Sequence, residues 1–129
     1  MSPAALRLEL VEGTYAVCRY EPGADVPPPS AGATFHSVTR TAEETSVVCP
    51  AGDCPEGTRS ERPFALLRVS GTLAFSLTGI LSGLTTALAG AGVSVFALST
   101  FDTDYLLVPT DMLGPAAEAL RSAGHAVSI

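Results

Sequence analysis

From Val69 to Phe101 the chain carries no charged residue, and the run ends abruptly at two acids, Asp102 and Asp104. An apolar stretch of that length must enter a membrane or be buried in a folded core. A spanning helix needs about 20 predominantly apolar residues. Here Ser, Thr and Gly interrupt throughout, and Gly90 with Gly92 divide the run, so it reads as a helix followed by a strand. Leu77, Ile80, Leu81, Leu84 and Leu88 recur at helical spacing and predict a helix from Ser76 to about Ala91. Ser76 is its expected N-cap, and Gly90 or Gly92 its stop. Beyond the helix, Val93–Leu98 and Tyr105–Val108 are β-forming runs around a Ser/Thr/Asp turn, which predicts a hairpin with both acids at its tip.

A weak internal repeat extends this pattern to the first half. Tyr15-Ala16-Val17-Cys18-Arg19-Tyr20 and Phe64-Ala65-Leu66-Leu67-Arg68-Val69 both run aromatic, Ala, aliphatic, apolar, Arg, apolar. Counting back from Pro50 and Pro109 sets Thr41 opposite Thr100 and Glu43-Glu44 opposite Asp102-Thr103. The repeat predicts two related units, residues 1–61 and 62–129, joined by a linker at Ala51–Arg62. The first is degenerate, because Pro27-Pro28-Pro29 stands where the second unit has its helix. Asp111–Ala123 predicts another helix, with Pro115 in its first turn, Gly124 at C′ and His125 as a terminal cation; His125–Ile129 closes as a short strand. The second unit is then β-α-β-β-α-β, an α+β, ferredoxin-like layout.

Composition removes several function classes. The 129 residues carry a net charge of −6, and their seven basic residues are scattered rather than gathered into a phosphate-binding face. Few aromatics and no Trp leave no platform for stacked bases, so no nucleic-acid partner is expected. Met1–Arg7 lacks a basic segment leading into an apolar run, which gives the expectation of no signal peptide and a cytoplasmic protein with three free thiols. Cys18, Cys49, Cys54 and His36 could in principle ligate zinc, but only Cys49 and Cys54 form a local pair, and structural sites take tight pairs from two places. Those two read instead as loop thiols and Cys18 as core. Two histidines and no nucleophile, metalloprotease or phosphate-loop motif leave the roles of an active site unfilled, so no enzyme, metal or cofactor is expected.

The residues that remain suit an amino acid. Its carboxylate fits the free backbone N–H groups at the start of the helix after Ser76, and its ammonium fits Asp104 or Asp102. Ser99, Thr100 and Thr103 offer hydroxyls, and Leu77, Leu81 and Phe101 offer apolar walls. The same residues serve equally as turn formers and a helix cap. On Phe75-Ser76-Leu77-Thr78-Gly79-Ile80-Leu81 and Ser99-Thr100-Phe101-Asp102-Thr103-Asp104-Tyr105, together with Ser46-Val47-Val48-Cys49 after Arg40-Thr41, the chain resembles the ACT-domain family. The match is nearest to small tandem-ACT proteins of the CASTOR type, amino-acid sensors of animal cells. That resemblance implies a regulatory module of paired ACT units. It implies an amino acid held between the 70–77 loop (Ala74, Phe75, Ser76, Leu77) and the hairpin tip (Ser99 to Asp104). The animal arginine sensors carry an acid where this chain has Leu77, which removes a partner for a guanidinium. The helix face Gly79, Ser82, Gly83, Thr85 and Thr86 is uncharged and predicts cover by another subunit or by the first half, hence a homodimer. A partner that the module regulates, or a purely structural dimer without ligand, completes the alternatives.

Overall fold

The computed structural model describes residues 5–70 and 78–129. Its strands are β1 (Arg7–Tyr20), β2 (Ser37–Arg40), β3 (Thr45–Pro50), β4 (Arg59–Val69), β5 (Phe96–Ser99), β6 (Asp104–Pro109) and β7 (Ala126–Ser128); its α-helices are α1 (Ile80–Gly90) and α2 (Leu113–Ser122). This is a mixed α+β fold with a largely antiparallel sheet. The chain forms two compact units, a larger one of Met1–Glu12 with Ala65–Ile129 and a smaller one of Gly13–Phe64.

In the larger unit the strands lie in the order β7, β1, β4, β6, β5. Leu8, Leu67, Val69, Leu106 and Val108 alternate onto one face, where Leu84 and Leu88 of α1 and Ala116, Ala117 and Leu120 of α2 close the core. The two helices pack on each other. Each ends in the same way. Gly92 (φ 73°) returns its N–H to the Ala89 carbonyl while Val93 bonds back to Leu88, and Gly124 (φ 98°) and His125 repeat the pattern on Arg121 and Leu120. Only glycine takes that left-handed turn without strain, so of the two expected stops Gly90 and Gly92 the second takes the role, and Gly124 takes it as expected.

In the smaller unit β3 pairs antiparallel with both β2 and β1, with Arg40 opposite Thr45 and Cys18 opposite Val47. Residues 21–36 contain no helix, as three consecutive prolines require. Its core is small, Ala16, Cys18, Val47, Cys49 and Cys54. Tyr15 is buried on the other face with its ring edge-on to Phe35 at 6.3 Å.

Five expectations need correction. Helix α1 starts at Ile80 rather than Ser76, because Gly79 is left-handed (φ 79°) and cannot belong to a right-handed helix; its carbonyl instead accepts the first helical bond, from the Gly83 N–H at 3.0 Å. The strand expected at Tyr15–Tyr20 begins at Arg7, and its first residues take β7 in parallel, Arg7 opposite Ala126. His125 does not stand free at the helix end: its Nδ1 accepts the Leu6 N–H at 3.0 Å and ties the ring to the start of β1. Cys49 is not a loop thiol, since it lies in β3, while Cys54 is in the loop as expected but buried there; and the linker's final residues from Arg59 are strand.

Candidate functional site

Antiparallel pairing of β5 with β6 ends at Ser99 opposite Asp104, which leaves Thr100–Thr103 as the turn. Thr100 organises it. Its N–H donates to the Thr103 carbonyl at 2.8 Å, its hydroxyl donates to the same carbonyl at 3.2 Å, and the Thr103 N–H returns to that hydroxyl at 3.4 Å. Thr103 faces inward, 3% exposed, and its Oγ1 donates to the Val69 carbonyl at 2.7 Å. That bond fixes the hairpin tip to the end of β4, where the chain departs towards α1.

Asp104 is thereby placed by arithmetic of the pleat. Leu106 and Val108 of β6 point into the core beneath the helices, so Asp104, two residues before Leu106, lies on the helix-bearing face at the end of the sheet. It is half-buried, and one carboxylate oxygen accepts the Ser99 hydroxyl. Asp102 is exposed in the turn. Among the described residues neither acid makes an ion pair. Arg68, near the end of the neighbouring strand β4, is on the opposite face, since Leu67 and Val69 point to the core. It pairs with Glu9 at 3.1 Å, and a hydrogen bond with Tyr105, then Glu9, raises its already high pKa.

The other predicted residues are dispersed. Leu81 packs on the core from the first turn of α1. Phe101 stands 82% exposed at the turn. Ala74, Phe75, Ser76 and Leu77 lie outside the described residues. Ser70, next to them in sequence, has a buried hydroxyl without a hydrogen-bond partner among the described residues; the sequence marks it only as the start of a loop. The α1 face of Gly79, Ser82 and Thr86 is exposed. What the arrangement can do is bind: a carboxylate that makes no ion pair among the described residues and several hydroxyls share one sheet end with a helix whose first-turn N–H groups have no intrahelical acceptor. No group of three or more His, Cys, Asp or Glu among the described residues is disposed to hold a metal ion. No helix among them is long and apolar enough to cross a membrane.

Residues 59–122 match the family model of the ACT domain, and residues 13–57 match a separate model, that of an N-terminal domain. No functionally curated protein matches the chain. Among solved structures, Atu0741 from Agrobacterium tumefaciens is similar at 32% identity and a TM-score of 0.88, over 97% of this chain and 93% of that one. A Vibrio cholerae protein of unknown function, described as a possible transport protein, is similar in fold at 19% identity and TM-score 0.71, over 92% and 90% of the two chains. The regulatory subunit of aspartate kinase from Thermus flavus shares the fold at 11% identity and TM-score 0.60, over 95% and 99%. The protein therefore belongs to the family of Atu0741 and carries an ACT domain over residues 59–122.

Proposed function

We propose that this protein is a regulatory sensor that binds a small molecule, an amino acid, at the tip of the β5–β6 hairpin and does no chemistry on it. The observation that carries the reading is Asp104: an acid without an ion-pair partner among the described residues, on the helix-bearing face, where β4 leaves the sheet towards α1. In this reading the ligand ammonium meets Asp104 and Ser99, and its carboxylate meets the first-turn N–H groups of α1, where the helix dipole favours an anion. Leu77, at the sequence position where the animal arginine sensors carry an acid, disfavours arginine and favours a ligand with a neutral side chain.

The finer architecture belongs to the same proposal. The chain is a tandem of two ferredoxin-like ACT units, the first degenerate and, among the described residues, without an α-helix. A homodimer supplies a second ACT-type face over the ligand, and the uncharged face of α1 is the surface it covers. A regulatory subunit of an amino-acid kinase sharing this fold supports a controlling rather than catalytic role.

A thermal-shift screen of the twenty amino acids on the purified chain tests the reading. Ligand at a hundred times its Kd stabilises the folded state by about 2.7 kcal/mol, so at least one amino acid should raise the melting temperature by several degrees. No shift with any of them, from a chain that sediments as a dimer, overturns the sensor and leaves a structural dimerising module, which the exposure of Phe101 would suit.

A further inference from the structure

The three cysteines are far apart in sequence and converge in the smaller unit. Cys18 on β1 is opposite Val47, and Cys49 is opposite Ala16, so the two are diagonal neighbours on one face of the sheet, with their sulfurs 3.9 Å apart. Cys54, just after the 3-10 turn Ala51–Asp53, folds back onto the same face and brings its Sγ to 2.7 Å from that of Cys18. All three are thiols. A shared metal does not explain the contact. Thiolates about 2.3 Å from one zinc ion in tetrahedral geometry stand roughly 3.8 Å from each other. Cys18 and Cys49 meet that spacing, and Cys18 and Cys54 are more than an ångström too close. The two sulfurs are instead close enough for a small shift to bring them to about 2.05 Å, the length of a disulfide bond.

We propose that Cys18 and Cys54 are a reversible dithiol–disulfide pair, closed by exchange with a low-molecular-weight disulfide, with Cys49 left as a free thiol beside the bond. Cys54 is the entry point. It is the most exposed of the three, and it lies at the edge of the core, with Pro55 and the exposed residues Glu56 and Gly57 following it. Its thiolate attacks the small disulfide, forms a mixed disulfide and releases one small thiolate. Cys18 then loses its proton and attacks the Cys54 sulfur, and the second small thiol leaves. Two protein thiols and one small disulfide become one protein disulfide and two small thiols. Burial, then the hydrogen bond with Cys54, holds the Cys18 thiol protonated, which makes the second step slow at neutral pH and faster as pH rises.

The test uses the full chain incubated with oxidised glutathione under native conditions, followed by thiol titration in denaturant and a non-reducing peptide map. Reactive thiols should fall from three to one, with a single Cys18–Cys54 link. Cys49→Ser should still form the link. Cys18→Ala should stop with one glutathione on Cys54. Three thiols remaining in the parent, a link through Cys49, or a stable glutathione adduct in the parent would each overturn the proposal. The parent's own map decides the matter even if a variant fails to fold.

Discussion

At the tip of β2–β3, Thr41 sends its N–H to the Glu44 carbonyl at 2.9 Å and its hydroxyl to the same carbonyl at 3.2 Å; at the tip of β5–β6, Thr100 does both towards Thr103, at 2.8 and 3.2 Å. The likeness continues along the chain. Both hairpins end in a proline of nearly the same backbone angles, Pro50 (φ −51°, ψ 138°) and Pro109 (φ −53°, ψ 138°), and each proline opens a 3-10 turn. They part in what surrounds them. Where the larger unit has Asp104, the smaller has Thr45, fully buried and hydrogen-bonded by Arg40. Where the larger has α1, the smaller has a helix-free segment whose Ala24 carbonyl is held by Arg40 at 2.8 Å. The backbone of a tip is thus set by its threonine, while its chemistry is set by the acid and the helix beside it. The smaller unit keeps the first and lacks the second.

That contrast can be broken in stability first. Leu84→Ala empties a fully buried site of the larger core and should cost about 2–5 kcal/mol in urea denaturation; Val47→Ala in the smaller core removes fewer atoms and should cost less. Equal losses would mean that the smaller core is packed as tightly as the larger. Next, Thr103→Val leaves the Val69 carbonyl without its donor and should cost about 1–3 kcal/mol, whereas Glu44→Gln at the matching position of the other tip should stay within about 0.5 kcal/mol. Gly92→Ala, at φ 73°, should cost about 1–2 kcal/mol by forcing a Cβ into the left-handed turn, although nothing stands within 4 Å to clash with it.

The smallest effect is specific to the smaller unit and depends on pH. Burial raises the Cys18 and Cys49 thiols above their ordinary value of 9.0. Unfolding therefore releases protons once the unfolded thiols ionise, and the stability they contribute, complete below about pH 9, is lost as pH rises through the folded values. The urea midpoint should fall between pH 8 and pH 10, and Cys49→Ala should flatten that fall. A midpoint independent of pH would contradict the buried thiol cluster.

Much of this was legible in local chemistry. The two tips were aligned from sequence because threonine at a turn and proline at a strand end act on their immediate neighbours. Gly92 and Gly124 declared the helix ends for the same reason. The start of α1 was missed because Ser76 is a good cap in isolation, and the left-handed Gly79 that overrides it looks in sequence like any helix-face glycine. The first half of β1 was missed although Leu6, Leu8 and Leu10 alternate with Arg7 and Glu9, a period of two that could have identified it. Its partner β7 is more than a hundred residues away, and no local pattern names such a partner. The thiol cluster was hidden likewise, since Cys18 meets Cys49 only through the β1–β3 register.

The central claim is that the acid, and not the shared tip geometry, makes the β5–β6 hairpin a binding site. Isothermal titration with the amino acid that gives the largest thermal shift tests it most directly, on the parent, Asp104→Asn and Asp102→Asn. Losing a charge-assisted hydrogen bond costs about 1.5–3 kcal/mol, so Asp104→Asn should bind roughly ten- to a hundredfold more weakly with its urea midpoint unchanged, and Asp102→Asn should bind more nearly as the parent does. If Asp104→Asn binds as tightly as the parent, the hairpin tip of the larger unit is only a turn, like its counterpart in the smaller one.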